Sequence, residues 1–575
     1  MDKDRIAQIF LETAHLLEIS GENPFKVRAY ENAARTIESL NNFEELSISG
    51  ELKTIKGLGS SILEKIHELQ TTGHLVYYEQ LKEKTPPGLI EMMKVPTLGP
   101  KKVIILYHEL GIKSIQELEQ ACLENRLLHI EKFGLKTQQN IMEGISFLKK
   151  YSGTYLLTDG INTANKLVAH MKSLPEVTSI EVAGSIRRRK EIVRDIDIVA
   201  TCDNTEKVMD FFVSLPTVEN IIAKGTTKST ISLRTGMNCD LRVVSKEEYP
   251  YTLHHLTGSK DHNTAMRGRA KKMGLKMNEY GLFREDNTNI PCSSEKEIFA
   301  ALGLDFIPPE LRENLGEIEA AETGSLPRLI EKKDIKGILH CHTTWSDGNN
   351  TLEEMVTACK NSGYSYIGIT DHSVTASYAG GLTIEQVHRQ LEKIEILNKL
   401  HYPFRVFKGV ELDILGDGSL DYNPETLALY DFVIASVHSR FNLSTEDMTK
   451  RICRALENPY VTILGHPTGR LLLARKEYNV DMATILSCAA KNHKAIELNA
   501  NPNRFDLDWR YCKQAKELGI KIFINPDAHN MESMHYVELG VDIARKGWLE
   551  AHDVGNTMDV ADLEKYFRAV SPINI

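Results

Sequence analysis

One pattern recurs seven times in the second half of the chain: an apolar, strand-like run ends beside a residue type that binds metal ions, and a helical stretch follows. The residues at these run ends are His340, His342, Asp371, His372, Glu411, Asp413, His438, His466, Asn499, Asp527 and His529. Seven strands that alternate with helices predict a barrel related to the (β/α) class. Because the carboxyl ends of parallel strands meet at one face of such a barrel, we expect these side chains to lie together.

The residue types in this series indicate a metal centre. His340 and His342 are two residues apart and therefore share one face of a strand, and Asp347 follows in the next loop. A single histidine at a strand end is more often a core or surface residue, but six of them with several carboxylates favour metal ligands. Mixed ligation of this kind suits Zn²⁺ or Mn²⁺, which can activate water against a phosphoester. Residues 336–575 are therefore predicted to form a metal-dependent phosphoesterase domain.

A second feature, the stretch 184–199, carries a different metal-type pattern. A Gly-Ser turn follows an apolar run, four cationic residues come next, and Asp195 and Asp197 then alternate with apolar residues. Alternation is the period of a strand, so both carboxylates leave one face, where Mg²⁺ ions would offset their repulsion. The glycine lets the turn approach a phosphate, and the arginines can hold its oxygens. The stretch predicts phosphoryl transfer from a nucleotide.

The regions after this stretch contain further candidates. Strand-like runs at 178–183, 195–200, 230–233 and 238–244 predict an α/β domain over residues 151–247. Asp240 in the last run is either a surface residue or the third carboxylate of a two-metal site, and Lys228 is a candidate contact to a DNA backbone. Asn263 and Arg267 are four residues apart and share one helix face, which is otherwise an ordinary exposed polar face.

The first 150 residues are predicted to be helical, and two glycine turns precede amphipathic helices there. The first turn holds Gly57 and Gly59, and the second holds Gly99, about forty residues later. Glycine permits the tight turn, and N–H groups at the start of the next helix can bind a DNA phosphate without reading sequence. A single copy is more often a plain helix turn, but two copies favour a helix-hairpin-helix grip on DNA.

Two lysines of this helical region, Lys26 and Lys65, allow two interpretations. The simpler one is a solvated lysine or one that contacts a phosphate. The other is an amine of lowered pKa that attacks an abasic-site aldehyde to form a Schiff base.

Bulk composition limits the remaining possibilities. A length of 575 residues predicts about four domains, and 42% hydrophobic with 26% charged residues is ordinary for soluble globular protein. The sequence predicts no transmembrane helix and no signal peptide. Nine cysteines without CxxC pairs predict reduced thiols in a cytoplasmic protein. The net charge of -10 argues weakly against a nucleic-acid partner, although local basic patches and bound metals can reverse that sign.

Taken together, these motifs resemble a known combination of domains. Gly184-Ser185, nine residues and then Asp195-x-Asp197 match the nucleotidyltransferase signature, and the first 315 residues or so resemble a family X DNA polymerase similar in layout to DNA polymerase beta. The series from His340 to His529 resembles a polymerase and histidinol phosphatase (PHP) domain. This fusion is similar to the bacterial family X polymerases that also carry a 3′–5′ exonuclease.

For the polymerase part, the resemblance implies a role for each matching residue. Asp195, Asp197 and Asp240 would bind two Mg²⁺ ions, and Asp240 would help to remove the proton from the primer 3′-hydroxyl. The nucleotide contacts would be Gly184, Ser185, Arg188, Gly258 and Asn263. Arg267 would contact the template strand, beside the DNA contacts already inferred at Gly57, Gly59, Gly99 and Lys228.

For the barrel, the resemblance implies three ions, either Mn²⁺ or Zn²⁺. The first ion would be held by His340, His342, Glu411 and Asp527. The second would share Glu411 with His438 and His466, and the third would be held by Asp347, His372 and His529.

The chain departs from polymerase beta at two places. His255-Leu256 stands where polymerase beta has a Tyr-Phe pair before the Thr-Gly-Ser turn, in the part of the site that surrounds the sugar. Among the lyase lysines, Lys26 and Lys65 match, and Ser61 replaces a third. Lys65 is therefore the candidate nucleophile of a lyase.

The resemblance implies a DNA-directed DNA polymerase for gap filling in base excision repair, with a 3′–5′ exonuclease in the PHP domain and candidate abasic-site lyase and endonuclease activities. The expected partners are gapped or primer-template DNA and dNTPs, with no membrane, for a monomer in the bacterial cytoplasm at the nucleoid. The alternatives keep the nucleotidyltransferase but make the PHP domain a scaffold or a small-molecule phosphatase.

The predicted architecture is multidomain: two α-helical helix-hairpin-helix domains (1–85 and 86–150), an α/β palm (151–247), a small α+β thumb-like domain (248–315), a linker (316–335) and a distorted (β/α)7 barrel (336–575).

Overall fold

The computed structural model describes residues 3–40, 43–55, 57–96 and 98–571. Lys56 and Thr97, which belong to the two predicted glycine turns, lie outside these ranges. The contacts divide the chain into two compact units, Met1–Ser152 and Gly153–Ile575. Within the described ranges no helix is both long and apolar enough to cross a membrane. All nine cysteines are free thiols, as predicted.

The first unit is helical, as the apolar periodicity predicts. Its helices are α1 (Lys3–Ile19), α2 (Pro24–Ser39), α3 (Phe43–Ser49), α4 (Ser60–Thr72), α5 (Val76–Lys84), α6 (Pro87–Met92), α7 (Pro100–Leu110), α8 (Ile115–Leu123) and α9 (Leu135–Tyr151). Their apolar faces form two separate clusters, one within residues 6–81 and one within residues 89–145. Gly59 and Gly99 directly precede α4 and α7, so each predicted glycine turn leads into a helix N-terminus.

The second unit begins with the predicted α/β palm. Its elements are β1 (Tyr155–Leu156), α10 (Leu157–Lys172), β2 (Val177–Val182), α11 (Gly184–Arg187), β3 (Ile192–Val193), β4 (Asp195–Cys202), α12 (Thr205–Val213), β5 (Val218–Lys224), β6 (Lys228–Leu233) and β7 (Asn238–Val244). The main sheet has the order β2-β4-β7-β6-β5, with β4 and β7 parallel. Strands β2, β4, β6 and β7 confirm the predicted runs. Strand β5 was missed, because almost all of its residues are exposed and show no alternation.

A small α+β region follows the palm. It contains α13 (Tyr249–Thr257), α14 (Lys260–Lys272), the hairpin β8 (Lys276–Asn278) and β9 (Gly281–Phe283), α15 (Glu295–Ala301) and α16 (Glu317–Glu322). The last helix falls inside the predicted linker 316–335. Its Ile318 and Ala321 belong to the apolar cluster of this region, so part of the connection is packed.

The rest of the chain forms the predicted barrel. Seven parallel strands stand in sequence order: β10 (Gly337–Cys341), β11 (Tyr366–Ile369), β12 (Arg405–Asp413), β13 (Phe432–Ser436), β14 (Ile463–Leu464), β15 (Ala495–Asn499) and β16 (Ile522–Asn525). The helices are α17 (Leu352–Asn361), α18 (Ile384–His401), α19 (Pro424–Leu427), α20 (Thr445–Leu456), α21 (Met482–Lys491), α22 (Trp509–Glu517), α23 (Tyr536–Lys546) and α24 (Val560–Val570). Ala528, just after β16, exchanges backbone hydrogen bonds with His340 and His342 at 3.1 and 2.8 Å, which brings the last strand back to the first.

Candidate active sites

Three carboxylates meet at one end of the palm sheet. The parallel register of β4 and β7 places Asp197 directly beside Asp240, and Asp195 leaves the same face two residues earlier. Burial, together with the charges of Asp195 and Asp240, raises the pKa of Asp197 to about 7. Since neighbouring carboxylates suit hard cations, this donor set fits the Mg²⁺ ions predicted from the sequence.

Asp240 has two partners from the neighbouring strand β6. Lys228 Nζ lies 2.6 Å from one carboxylate oxygen, and Thr230 Oγ1 donates to the other at 2.6 Å. Lys228 was predicted to contact a DNA backbone, and that role stays a prediction. In the structure its ammonium group supplies the positive charge nearest to the third carboxylate.

The Gly184 turn lies against this carboxylate group. Gly184 has a φ of +64°, and a Cβ atom there would lie 2.1 Å from Asp197 Oδ2. The Ala183 amide donates to the Asp197 carbonyl at 2.8 Å, which fixes the turn beside β4. Any side chain at position 184 would therefore displace the carboxylate of Asp197. Glycine avoids this contact, and it also adopts the left-handed backbone conformation at little cost.

The remaining predicted nucleotide contacts come from the turn and from α13 and α14. Arg188 is largely buried; it donates to the Thr257 carbonyl at 2.7 Å and to Glu313 at 3.2 Å. Gly258 makes room for Asn263, whose Oδ1 would be 2.5 Å from a Cβ at position 258. That Oδ1 is buried without a hydrogen-bond partner among the described residues. Arg267 is exposed on the same helix face, as predicted.

The predicted ligands of the barrel come together at its carboxyl-terminal face. They form three groups whose ligand atoms all lie within 4.8 Å of one another: His342, Asp347, His372 and His529; His340, His342 and Asp527; and Glu411, His438 and His466. These groups follow the three sets implied by the resemblance. There are two differences. His342 belongs to two groups, because its Nδ1 faces Asp347 Oδ1 at 3.7 Å, and Glu411 belongs to the group of His438 and His466 but not to that of His340, His342 and Asp527.

Glu411 lies at the centre of the cluster. Its Oε2 is 3.1 Å from His372 Nδ1 and 3.3 Å from His340 Nε2. Its Oε1 is 3.0 Å from His466 Nε2 and 3.4 Å from His438 Nε2. His342 Nε2 also lies 3.6 Å from Oε2. One carboxylate thus faces five imidazoles, an arrangement in which it can bridge two cations.

The donor atoms fit divalent ions. His340 Nε2 and both ring nitrogens of His342 are buried without a hydrogen-bond partner among the described residues. Burial raises the pKa of Glu411 and Asp527, but the neighbouring histidines lower both pKa values well below the ordinary range. Ionised carboxylates beside unpaired imidazole nitrogens are the donors that Mn²⁺ and Zn²⁺ take.

Two carboxylates behind the ligands hold the imidazole rings. Glu497 is fully buried in β15 and lies 2.5 Å from His340 Nδ1, while Asp413 lies 2.5 Å from His438 Nδ1. These contacts leave Nε2 of each ring for a metal. Glu497 was missed in the sequence. The sequence gives only a weak indication of Glu497: the residue lies two positions before Asn499 and therefore on the same side of the strand.

The ligand cluster opens into a cavity of about 260 Å³. Besides the metal ligands, its lining includes Tyr378, Phe441, Arg475 and Arg504, none of which the sequence patterns singled out. Arg504 Nε lies 3.6 Å from Asp527, and its Nη1 is buried without a partner in the described part of the chain. A guanidinium beside a metal centre is suited to bind a phosphate.

A third candidate site lies in the first unit, in a cavity of about 540 Å³ beside Gly57 and Gly59. Lys26 and Lys65 line it, with their ammonium groups 4.9 and 5.8 Å from the centre of the Tyr77 ring. A hydrogen bond with Tyr77 raises the pKa of Lys26, which makes Lys26 the poorer amine nucleophile. Lys65 donates to Ser61 Oγ at 2.9 Å and remains the candidate.

Known protein families match four parts of the chain. A helix-hairpin-helix domain family matches residues 1–75, and a SAM-like helix-hairpin-helix tandem matches residues 89–146. The DNA polymerase beta thumb family matches residues 252–313, and the PHP domain family matches residues 339–501. With the palm carboxylates between them, these parts define a class: a polymerase of the beta type joined to a metal-binding PHP barrel.

Whole-chain comparison gives the family. The DNA polymerase/3′-5′ exonuclease PolX of Bacillus subtilis (strain 168) is 38% identical over 571 residues, which are 99% of this chain and 100% of that protein. The chain belongs to the PolX family, the family X DNA polymerases that carry helix-hairpin-helix domains and a PHP domain. This confirms the resemblance inferred from the motifs.

The barrel has further relatives of its own. A probable phosphatase of Thermoanaerobacter sp. (strain X514) is 29% identical over 251 residues, 41% of this chain and 96% of that protein. A probable phosphatase of Caldicellulosiruptor saccharolyticus is 32% identical over 209 residues, 33% of this chain and 78% of that protein.

Proposed function

We propose that this chain is a template-dependent DNA polymerase that fills short gaps, and that its barrel removes nucleotides from DNA 3′ ends. One observation carries the proposal: a single chain holds two separate groups of metal-type ligands, the palm carboxylates beside the Gly184 turn and the nine-ligand barrel cluster. The Bacillus subtilis relative is named for both activities.

In the palm, Asp195, Asp197 and Asp240 would hold Mg²⁺. Bound there, the ions neutralise triphosphate charge and lower the pKa of the primer 3′-hydroxyl. Asp240 would help to accept the proton of that hydroxyl, once its carboxylate is released from Lys228. Arg188 would exchange the Thr257 carbonyl for a phosphate oxygen, and the free Oδ1 of Asn263 would meet the incoming base.

In the first unit, α4 and α7 would hold the DNA on either side of a gap. The glycines before them leave space at each helix N-terminus, since a Cβ at Gly59 or Gly99 would meet nothing within 4 Å. Backbone N–H groups exposed in this way bind phosphates without reading bases. We therefore expect the binding of gapped DNA to weaken steeply with salt.

In the barrel, the ligand cluster would hold Mn²⁺ or Zn²⁺, three ions in all. Such ions lower the pKa of an attacking water and polarise a phosphodiester. The protein side chains around them orient the substrate: Arg504, with its unpaired Nη1, and Arg475 would bind the phosphate. Tyr378, exposed beside His372 and His438, offers a ring on which a terminal base can stack.

The probable phosphatases among the relatives favour one other candidate, a small-molecule phosphatase. A direct comparison decides: the Mn²⁺-loaded chain is given a 5′-labelled DNA strand and, separately, p-nitrophenyl phosphate. We expect the strand to be shortened from its 3′ end at a higher kcat/KM than the monoester is hydrolysed. Monoester turnover without shortening would establish the phosphatase, and no turnover of either substrate would support a barrel that serves only as a scaffold.

An abasic-site lyase is proposed for the first unit, with Lys65 as the nucleophile. The amine would form a Schiff base with the aldehyde, which borohydride reduces to a stable protein–DNA adduct. Lys65→Ala should remove the adduct. Lys82→Ala, which changes another lysine that lies over a tyrosine ring in the same unit, should leave it. An adduct that persists in Lys65→Ala contradicts this assignment.

Gap filling, the shortening of 3′ ends and an abasic-site lyase together suit a role in DNA repair. We propose that the chain acts on gapped or primer-template DNA with dNTPs as a monomer, at the nucleoid in the bacterial cytoplasm, in base excision repair. Cleavage at abasic sites by the barrel is a further expected activity. An assay on a circular substrate with one abasic site tests it, and a substrate that stays intact under Mn²⁺ would rule it out.

A further inference from the structure

The five residues that follow the Gly184 turn, Arg187–Glu191, are bonded mostly to other domains of the second unit. Arg187 donates to Thr257 and Glu295 of the thumb, both at 2.7 Å. Arg188 is held by the Thr257 carbonyl and Glu313. The last three residues of the segment contact the barrel, although Lys190 Nζ also lies 3.8 Å from Glu313 of the thumb. This junction segment is therefore positioned by the thumb on one side and the barrel on the other.

The contacts with the barrel combine a buried pair, Glu191 and Trp509, with partly exposed side chains. Glu191 accepts a hydrogen bond from Trp509 Nε1 at 3.0 Å and one from Arg510 at 2.8 Å. Arg189 lies 3.2 Å from Asp542 of α23. Lys190 Nζ lies 5.4 Å from the centre of the Trp509 ring, within cation–π range.

Lys546, also on α23, contacts the nucleotide-binding arginine most directly. Its side chain is fully buried, and Nζ donates to the Arg188 carbonyl at 3.1 Å and to Glu313 at 2.6 Å. Glu313 is the carboxylate that also holds the Arg188 guanidinium. The barrel thus contacts the backbone of Arg188 and, through one carboxylate, its side chain.

The segment would not hold this shape by itself. Arg189 has a φ of +56°, a left-handed conformation that costs a non-glycine residue free energy and persists only where contacts impose it. One cluster of buried apolar side chains also runs from the palm into the barrel without a break. The barrel is therefore a structural support of the palm at the point where the nucleotide motif ends.

We propose that Trp509, Arg510 and Asp542 of the barrel are positioning residues for the nucleotide site of the palm, because they fix the segment that carries Arg188. The inference rests on the proposed polymerase function. It assigns the barrel a second role that is independent of its metal cluster: the barrel sets the affinity of the polymerase for the incoming dNTP.

Single-nucleotide extension by the full-length protein tests this role. Glu191→Gln keeps the shape but removes the charge, and Trp509→Phe keeps the ring but removes the N–H donor. Each should raise the KM for dNTP about tenfold while kcat at saturating dNTP stays within about twofold, since the chemical groups are untouched. The dNTP KM of the double variant should be no higher than that of the more impaired single variant, because both changes break the same contact. Shortening of labelled DNA should stay within about twofold of wild type.

Lys332→Ala is the matched control, because Lys332 forms an exposed ion pair with Glu538 of the same barrel helix, α23, at 2.8 Å. It should leave both activities unchanged. An unchanged dNTP KM in both variants would overturn the inference, and so would additive effects or an equal KM rise in Lys332→Ala. A parallel loss of extension and shortening in both variants would also overturn it, since that pattern marks a general folding role. If the wild-type protein itself extends no primer, the polymerase proposal fails instead.

Discussion

The two metal-type sites of the second unit handle negative charge in different ways. In the palm, three carboxylates share one sheet edge, Asp195 is exposed, and Lys228 is the close cationic partner of Asp240. In the barrel, each carboxylate faces histidines. Although burial lowers the pKa of His438 and His529, the carboxylates around them raise both values to about 9. In the barrel, carboxylates and imidazoles thus face one another, whereas the palm carboxylates lie chiefly beside other carboxylates.

This difference in how the carboxylates are paired indicates how each site would be used. In the barrel, Glu497 and Asp413 hold the ligand rings in place before an ion binds. We therefore expect this prebuilt cluster to retain ions in the resting protein. On the proposed function, the palm carboxylates would gain their counter-charge when a nucleotide brings Mg²⁺, so that the site would be complete only during a catalytic cycle. The following changes test this contrast, from the largest expected effect to the smallest.

Removing one palm carboxylate should have the largest effect. Asp240→Asn takes away a metal ligand and the expected proton acceptor, so primer extension should fall about a thousandfold or more. DNA shortening by the barrel should not change. Asp286→Asn, at an exposed turn in the thumb region, is the matched control and should retain extension. Retained extension in Asp240→Asn would mean that Asp240 is only a structural residue.

Adding one methyl group to the Gly184 turn should come next. Gly184→Ala places a Cβ 2.1 Å from Asp197 Oδ2, and the carboxylate must move. A misplaced ligand should lower kcat/KM for extension about a hundredfold. Gly268→Ala, where a Cβ would meet nothing within 4 Å, should extend primers normally. Equal behaviour of the two variants would show that the close approach to Asp197 has no role in catalysis.

On the barrel side, the carboxylate behind His340 should matter through the ions. Glu497→Gln keeps the volume but weakens the hold on the ring, so we expect DNA shortening to fall about ten- to a hundredfold. Metal content after gel filtration should fall as well, and primer extension should be unaffected. Glu353→Gln, which removes an exposed ion pair with Lys393 at 3.1 Å, serves as control. Full activity and full metal content in Glu497→Gln would contradict a prebuilt cluster.

The pH dependence of stability should show the smallest effect. The pKa of Asp197 is about 7 in the folded chain, above the value of about 3.9 expected when the chain is unfolded. The folded state therefore binds the proton more tightly, and this contribution is present below pH 3.9 or so and lost as pH rises through 7. In EDTA, Asp197→Asn should thus be more stable than wild type at pH 8, by at most about 4 kcal/mol, with little difference at pH 4. Thermal unfolding measures this, and equal melting temperatures at pH 8 would show that the palm carboxylates are balanced.

Much of this architecture could be predicted from local patterns. The barrel was evident because each of its strands ends beside a residue type that binds metal ions, and strand ends in a parallel barrel must meet. Asp195 and Asp197 were evident because alternation places them on one face. These features repeat or lie within a few residues, so the chain's periodicity is enough to reveal them.

Other features depend on contacts that periodicity does not encode. Glu497 sits inside a strand and is recognisable only once His340, 157 residues earlier, lies beside it. Glu191 and Trp509 are 318 residues apart. Strand β5 lacks alternation because almost all of its residues are exposed, on both faces of the strand. In each case the signal comes from tertiary packing and not from the local sequence.

One experiment tests the central claim, that a single chain carries two independent active sites. A labelled primer-template is incubated with dNTPs and either Mg²⁺ or Mn²⁺, and products longer and shorter than the primer are resolved together. Asp195→Ala with Asp197→Ala should give only shortening, and His340→Ala with His342→Ala should give only extension. Shortening that survives the histidine changes, or extension that survives the aspartate changes, would contradict the account.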